Sequence, residues 1–197
     1  MKKKKVFAFI DASNLFYGGE KSLGWKIDYK KLIAYIKKRY NISKVYYYGG
    51  IELNGFPYSI LDPKPIDLYK IIRYLKKKHT EVKSIQRIKF YIKLARFGYI
   101  LRLKPVKIFR QQNGLTIKKA NCDVDMTFDL MKYVNDYSGA LVLSGDGDFA
   151  IVLKYLMQIG KKVTVLARGE RAAREIRQLV GNNFRDFNYL RELLKYK

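Results

Sequence analysis

The segment LVLSGDGDFAIVL, residues 141–153, sets two aspartates in a glycine turn between two apolar runs. The first run belongs to GALVLS (139–144), short and apolar throughout, as expected of a strand buried on both faces. The second opens DFAIVLKYLMQIG (148–160), whose apolar residues fall at helical spacing and which stops at Gly160. Strand, tight turn and helix in that order form the repeating unit of an α/β fold.

The same unit recurs outward in both directions. KVFAFI (5–10) reads as a buried first strand, and IDYKKLIAYIKKRY (27–40) places Leu32, Ile33, Ile36 and Tyr40 on one helix face. SKVYYYGGI (43–51) returns to strand. Residues 66–99 carry helical periodicity, as two helices broken near Thr80. The spacing predicts one strand over 99–110, a hairpin through QQNGLTIKK and a helix over 122–136. KKVTVLA (161–167) is a further strand, and residues 170–180 and 187–197 are closing helices. Strands separated by helices give a mostly parallel, helix-covered sheet. No linker divides the chain, so residues 1–197 read as one domain, with a basic helical and hairpin insertion at about 52–120.

Composition narrows the chemistry. One cysteine, Cys122, and one histidine, His79, exclude a disulfide framework and a Cys/His zinc site, and argue against a His-based nucleophilic triad. No apolar run approaches the ~20 residues of a bilayer helix, and the expected location is cytoplasmic, with no membrane partner. Lys and Arg total 41 against 17 acids, a formal net charge of +24. Such a balance points to a polyanionic partner, nucleic acid above all, although a lysine-rich solvated surface is the bland reading.

The charge is uneven. Residues 62–110 hold fifteen Lys/Arg and three acids, whereas residues 123–148 hold six acids. In an open parallel sheet the functional crevice lies beyond the carboxyl ends of the strands. Asp11 follows the first strand, with Asn14 three residues on. Asp146 and Asp148 follow the strand ending at Ser144. Asp123 and Asp125 open a helix, with Asp129 one turn later. Two carboxylates ~4 Å apart repel by about 4 kcal/mol at an effective dielectric of about 20, so convergence of several calls for a cation. Short oxygen ligands suit Mg²⁺ or Mn²⁺. Ser144 is a candidate for orienting the loop or touching phosphate. The alternative is plain helix capping by Ser144, Asp146 or Asp123, and an Asp129–Lys132 pair.

FIDASNLFYG, CDVDMTFDLM and VLSGDGDFAIVL together resemble the signatures of the NYN domain, a branch of the PIN-like nuclease superfamily. The resemblance runs from Val6 to about Val165 and is weaker over 52–100. It implies a three-layer α/β/α sandwich and a Mg²⁺- or Mn²⁺-dependent ribonuclease. It carries catalytic and metal-binding roles onto Asp11, Asp123, Asp146 and Asp148, with Asn14 in a supporting catalytic role, and Asp129 matches an acid often found on that helix; Asp125, four residues before Asp129 on the same helix face, is a further supporting candidate by its spacing. A phosphatase of the haloacid-dehalogenase type shares an SGDGDF-like loop, but it needs a second aspartate where this chain has Ser13.

The expected partner is RNA, single-stranded or structured. Arg73, Lys76, Lys77, Lys78, Lys83, Arg87, Lys89, Lys93 and Arg96 form a basic helical face, interleaved with Tyr74, Phe90 and Tyr91. Those rings either stack on bases or belong to the core. Lys119, Arg168, Arg171, Arg174 and Arg177 add further cations near the acidic edge. The excess of Phe and Tyr hints at a homodimer. The competing function is a non-catalytic RNA- or DNA-binding regulator that retains the fold.

Overall fold

The computed structural model describes residues 5–16, 21, 24–59, 65–78, 82–110 and 116–196. Six parallel strands form the central sheet: β1 (Val6–Asp11), β2 (Ile42–Ile51), β3 (Ile100–Pro105), β6 (Gly139–Leu143), β7 (Lys162–Ala167) and β8 (Phe184–Asp186). Their order is β3-β2-β1-β6-β7-β8. A separate antiparallel ribbon pairs β4 (Lys107–Arg110) with β5 (Thr116–Lys119).

Strand alternation sorts the core into two layers. Ala8, Ile10, Val45, Tyr47, Leu141 and Leu143 face one side. There they meet α2 (Tyr29–Tyr40), α3 (Leu68–Lys77) and α4 (Val82–Phe97). Phe7, Phe9, Tyr46, Tyr48, Ala140 and Val142 face the other side. This second layer is covered by α5 (Asp123–Lys132), α6 (Ala150–Gln158) and α7 (Arg174–Val180). The architecture is therefore a three-layer α/β/α sandwich around a parallel sheet. Asp28 caps α2 by accepting the Lys30 and Lys31 amides, and Asp67 caps α3 in the same way.

Four local features differ from the sequence expectation. The strand expected over 99–110 is two strands. β3 joins the main sheet beside β2, and the chain then leaves after Pro105, which has no N–H to donate. Val106 donates to the Ile51 carbonyl at 2.9 Å, and β4 begins the ribbon. The helix expected over 122–136 ends at Lys132. β8 was not legible, since three residues carry no periodicity. The closing helix is a 3₁₀ turn, Phe187–Leu190, followed by one α turn, α8 (Arg191–Leu194). Lys195 instead bridges to Ile27. The break expected near Thr80 and the histidine His79 lie outside the described residues. Among the described residues no helix is long and apolar enough to cross a membrane.

Strand order reverses between β1 and β6: β2 and β3 lie to one side of β1, and β6, β7 and β8 to the other. That switch point opens a crevice at the carboxyl ends of β1 and β6.

Candidate metal centre

Two turns line the crevice. β1 ends at Asp11, which caps the single helical turn α1 (Ala12–Asn14). Its Oδ1 accepts the amides of Ser13 at 2.9 Å and Asn14 at 3.2 Å. β6 ends at Leu143, and the Ser144-Gly145-Asp146 turn leads into a 3₁₀ turn, Gly147–Phe149. Ser144 bridges the two turns. Its hydroxyl donates to Asp11 Oδ2 at 3.3 Å and accepts from the Asp146 amide at 3.3 Å. A second tie is direct, with Asn14 Oδ1 accepting the Gly145 amide at 3.0 Å.

The third contributor is the start of α5. Asn121 Oδ1 accepts the Asp123 amide at 2.9 Å, and Asp123 is the first helical residue and not the cap. One carboxylate oxygen each from Asp123, Asp146 and Asp148 lies within 4.8 Å of the other two. Asp146 does cap as well: its Oδ1 accepts the Asp148 amide at 3.0 Å. Capping and convergence thus coexist in one residue. Asp11 stands beside the trio, close enough for the Asp123 charge to act on it. Burial, and after it that neighbouring charge, raise the Asp11 carboxyl above its ordinary value, against the opposing bonds from Asn14, Ser13 and Ser144. Four aspartates at one edge, all offering oxygen, fit a hard divalent ion of the Mg²⁺ or Mn²⁺ kind.

Two further acids of α5 are engaged elsewhere. Asp125 pairs with Lys104 of β3 at 2.6 Å. Asp129 is buried and accepts from Arg102 Nε at 2.7 Å and from the Tyr48 hydroxyl at 3.0 Å. The expected Asp129–Lys132 pair is replaced by this one, because β3 runs beside β2 and presents Arg102 to the helix. Burial, and after it the neighbouring Asp129 carboxylate, push the Tyr48 hydroxyl well up. Cys122, beside the centre, is buried, and burial pushes its thiol up to about 12.

Two glycines shape the loop. A Cβ on Gly145 would stand 2.8 Å from the Ala172 Cα, so the β6 turn packs backbone to backbone on the chain before α7. The Ala173 amide also donates to the Gly145 carbonyl at 2.8 Å. A Cβ on Gly147 would run into the carboxylate of Glu175, a flexible side-chain end.

The cations fall into several groups. A groove beside Asp11 is lined by Lys83, Arg87 and Lys93 of α4, and by Lys26 and Lys30 near the start of α2. Lys26 and Lys30 were not singled out by the sequence, although a helix that follows β1 must begin over the carboxyl edge. Arg73, Lys76 and Lys77 lie on α3, and Lys89 and Arg96 lie elsewhere on α4. Lys119 is in β5, with its side chain outside the described part of the structure. Arg168 pairs with Glu170. Arg171 and Arg174 are exposed around the start of α7. The aromatics divide similarly. Tyr91 is core, donating to the Gly50 carbonyl at 2.6 Å, and Tyr74 donates to the Gly55 carbonyl at 2.7 Å, whereas Phe90 is part-exposed.

Comparison with known proteins identifies the family. The LabA protein of Synechococcus elongatus, "low amplitude and bright", is 27% identical over 195 residues, spanning 97% of this chain and 88% of its own. A crystal structure of a Vibrio parahaemolyticus protein of unknown function superposes with a TM-score of 0.62 at 20% identity, over 91% of this chain and 90% of that one. The D15 protein of phage T5, crystallised with metal ions, gives 0.45 at 16% identity over 88% of this chain and 59% of its own. The model of the NYN domain matches residues 5–186. With that match over nearly its whole length, the chain belongs to the NYN domain family.

Proposed function

We propose that this chain is an endoribonuclease, hydrolysing RNA phosphodiester bonds at a Mg²⁺ or Mn²⁺ centre. The observation that carries the reading is the convergence of Asp123, Asp146 and Asp148 within 4.8 Å at the strand-order switch point. Asp123, Asp146 and Asp148 would hold the ion, with Asp11 either ligating it or holding its water. When bound, the ion supplies Lewis-acid activation of water and neutralises charge on the scissile phosphate. The protein's own part is placement. Asn14 and Ser144 lock the two turns to each other, so the carboxylates keep their spacing. The cations beside the centre hold the substrate's phosphates.

Cleavage of labelled RNA by the wild type and by Asp146→Asn tests the reading. The expected result is cleavage only with Mg²⁺ or Mn²⁺, reduced at least ~100-fold in the variant while RNA affinity and melting temperature hold. Equal cleavage by both proteins would contradict the metal roles. RNA binding without cleavage under any divalent ion would assign the chain to the non-catalytic binding class.

A further inference from the structure

A groove of about 970 Å³ opens on the α2/α4 side of the sheet and reaches Ala12 and Ser13, the residues next to Asp11. Its chemistry is of two kinds. Lys26, Lys30, Lys83, Arg87 and Lys93 line it and are exposed. Asp28 is the one acid among the described lining residues, and its carboxylate already accepts two backbone amides at the start of α2. Between the cations stand rings. Phe16 and Phe90 both line the groove and are part-buried. The Phe90 ring is braced edge-on by Tyr29 at 5.1 Å and tilted against Tyr91 at 5.8 Å. A ring held this way loses little side-chain freedom when a planar group settles on it.

Cations alone would suit any polyanion. Rings set among them favour one whose flat apolar faces are open, which is an unpaired nucleic acid strand. A duplex keeps its bases stacked inward and offers these rings nothing. The volume is at the upper end for a ligand cleft, roughly 300–1,000 Å³, so it takes a few nucleotides of one strand. The groove also reaches Ala12 and Ser13, the two residues that follow Asp11 in the chain.

We propose that this groove is the track of a single-stranded nucleic acid beside the metal centre. Phosphates rest on Lys26, Lys30, Lys83, Arg87 and Lys93, and unpaired bases lie against Phe16 and Phe90. The inference rests on the nucleic-acid side of the function proposed above, and not on turnover. It also divides the basic segment, since Lys83, Arg87 and Lys93 line the track while Arg73, Lys76 and Lys77 of α3 do not.

The test is fluorescence anisotropy of the full chain in EDTA, with a labelled oligomer of about 12 nucleotides. The probes are RNA, DNA of the same sequence, and the corresponding blunt duplex. Arg87→Ala/Lys93→Ala removes two track charges. Lys37→Ala/Lys38→Ala removes two exposed charges from the last turn of α2, at the opposite end of that helix from Lys30. The groove variant should weaken single-strand binding about 10-fold and flatten the slope of log K against log salt by about 1.4, two contacts at ~0.7 each. The control should change affinity less than about 2-fold, and the duplex should bind at least ~10-fold more weakly than the single strand. Phe90→Leu keeps an apolar side chain and should weaken single-strand binding at unchanged salt slope. RNA and DNA in either order support the track, their difference reporting contact with the 2′-hydroxyl. Equal losses in groove and control variants, or a duplex bound as tightly as the strand, overturn it. With no metal present, that failure leaves the cleavage reading intact, just as cleavage unaffected by Asp146→Asn would leave the track intact.

Discussion

Asn14 and Gly145, 131 residues apart in sequence, are joined by a 3.0 Å hydrogen bond from the Gly145 amide to Asn14 Oδ1. The bond ties the turn after β1 to the turn after β6, and so relates Asp11 to Asp146 across the crevice. Asn14→Ala leaves a part-buried amide without that acceptor, at a cost of about 1–3 kcal/mol. The expected outcome is a melting temperature lower by about 2–10 °C and Mn²⁺ affinity weakened about 10-fold, read by calorimetry. Unchanged Mn²⁺ affinity would show that the tie does not set the carboxylate spacing.

Asp11 carries its charge at a cost. Its carboxyl is raised above the ordinary value, first by burial. A raised acid contributes stability below its unfolded value and loses that contribution as pH climbs through the folded one. At pH 7.5 the ionised, metal-free protein is therefore penalised. Asp11→Asn removes the penalty and keeps an acceptor for the Ser13 and Ser144 neighbourhood. It should raise the EDTA melting temperature by about 2–4 °C for each kcal/mol relieved, with the gain shrinking as pH falls toward 4. Saturating Mn²⁺ should reverse the order, leaving the wild type the more stable. A variant less stable than wild type in EDTA would contradict this account of Asp11.

Asp129 has a structural assignment. Arg102 Nε at 2.7 Å and the Tyr48 hydroxyl at 3.0 Å both donate to its Oδ2. Asp129→Ala orphans a buried hydroxyl, while the part-exposed Arg102 can turn to solvent. A loss of about 2–3 kcal/mol is expected, measured by urea unfolding. Mn²⁺ affinity should stay within about 2-fold of wild type. A larger drop in affinity with stability intact would move Asp129 to the metal.

The two glycines of the loop should respond differently. At Gly145 an added methyl meets the Ala172 Cα at 2.8 Å, where only backbone movement makes room. At Gly147 it meets the end of the Glu175 side chain, which can swing aside. Gly145→Ala should cost roughly 1–3 kcal/mol and most of the Mn²⁺ affinity. Gly147→Ala should cost under about 1 kcal/mol. Equal effects at the two positions would mean that the Ala172 contact does not shape the loop.

Much of this was legible because the sheet writes itself as apolar runs. VFAFI and ALVLS are strands buried on both faces, so the residues just after them must sit at the carboxyl edge. That reasoning brings Asp11, Asn14, Ser144 and Asp146 to one place. It is silent on which acid of CDVDMTFD turns inward, because Asp123, Asp125 and Asp129 are separated by partners on a distant strand. Lys104 takes Asp125 and Arg102 takes Asp129, and both lie on β3. Seeing β3 required splitting the 99–110 run at Pro105, where the alternation continues across a change of sheet. The place of Lys26 and Lys30 is hidden for a similar reason. Their position depends on where α2 begins relative to β1, and lysine spacing does not record it.

The central claim is that Asp123, Asp146 and Asp148, with Asp11 beside them, hold a divalent ion. Anomalous diffraction from a Mn²⁺-soaked crystal tests it most directly. A peak is expected between these three carboxylates, with oxygens at about 2.0–2.4 Å, absent in Asp146→Asn. A crystal with Mn²⁺ bound elsewhere and no peak between Asp123 and Asp146 would contradict it.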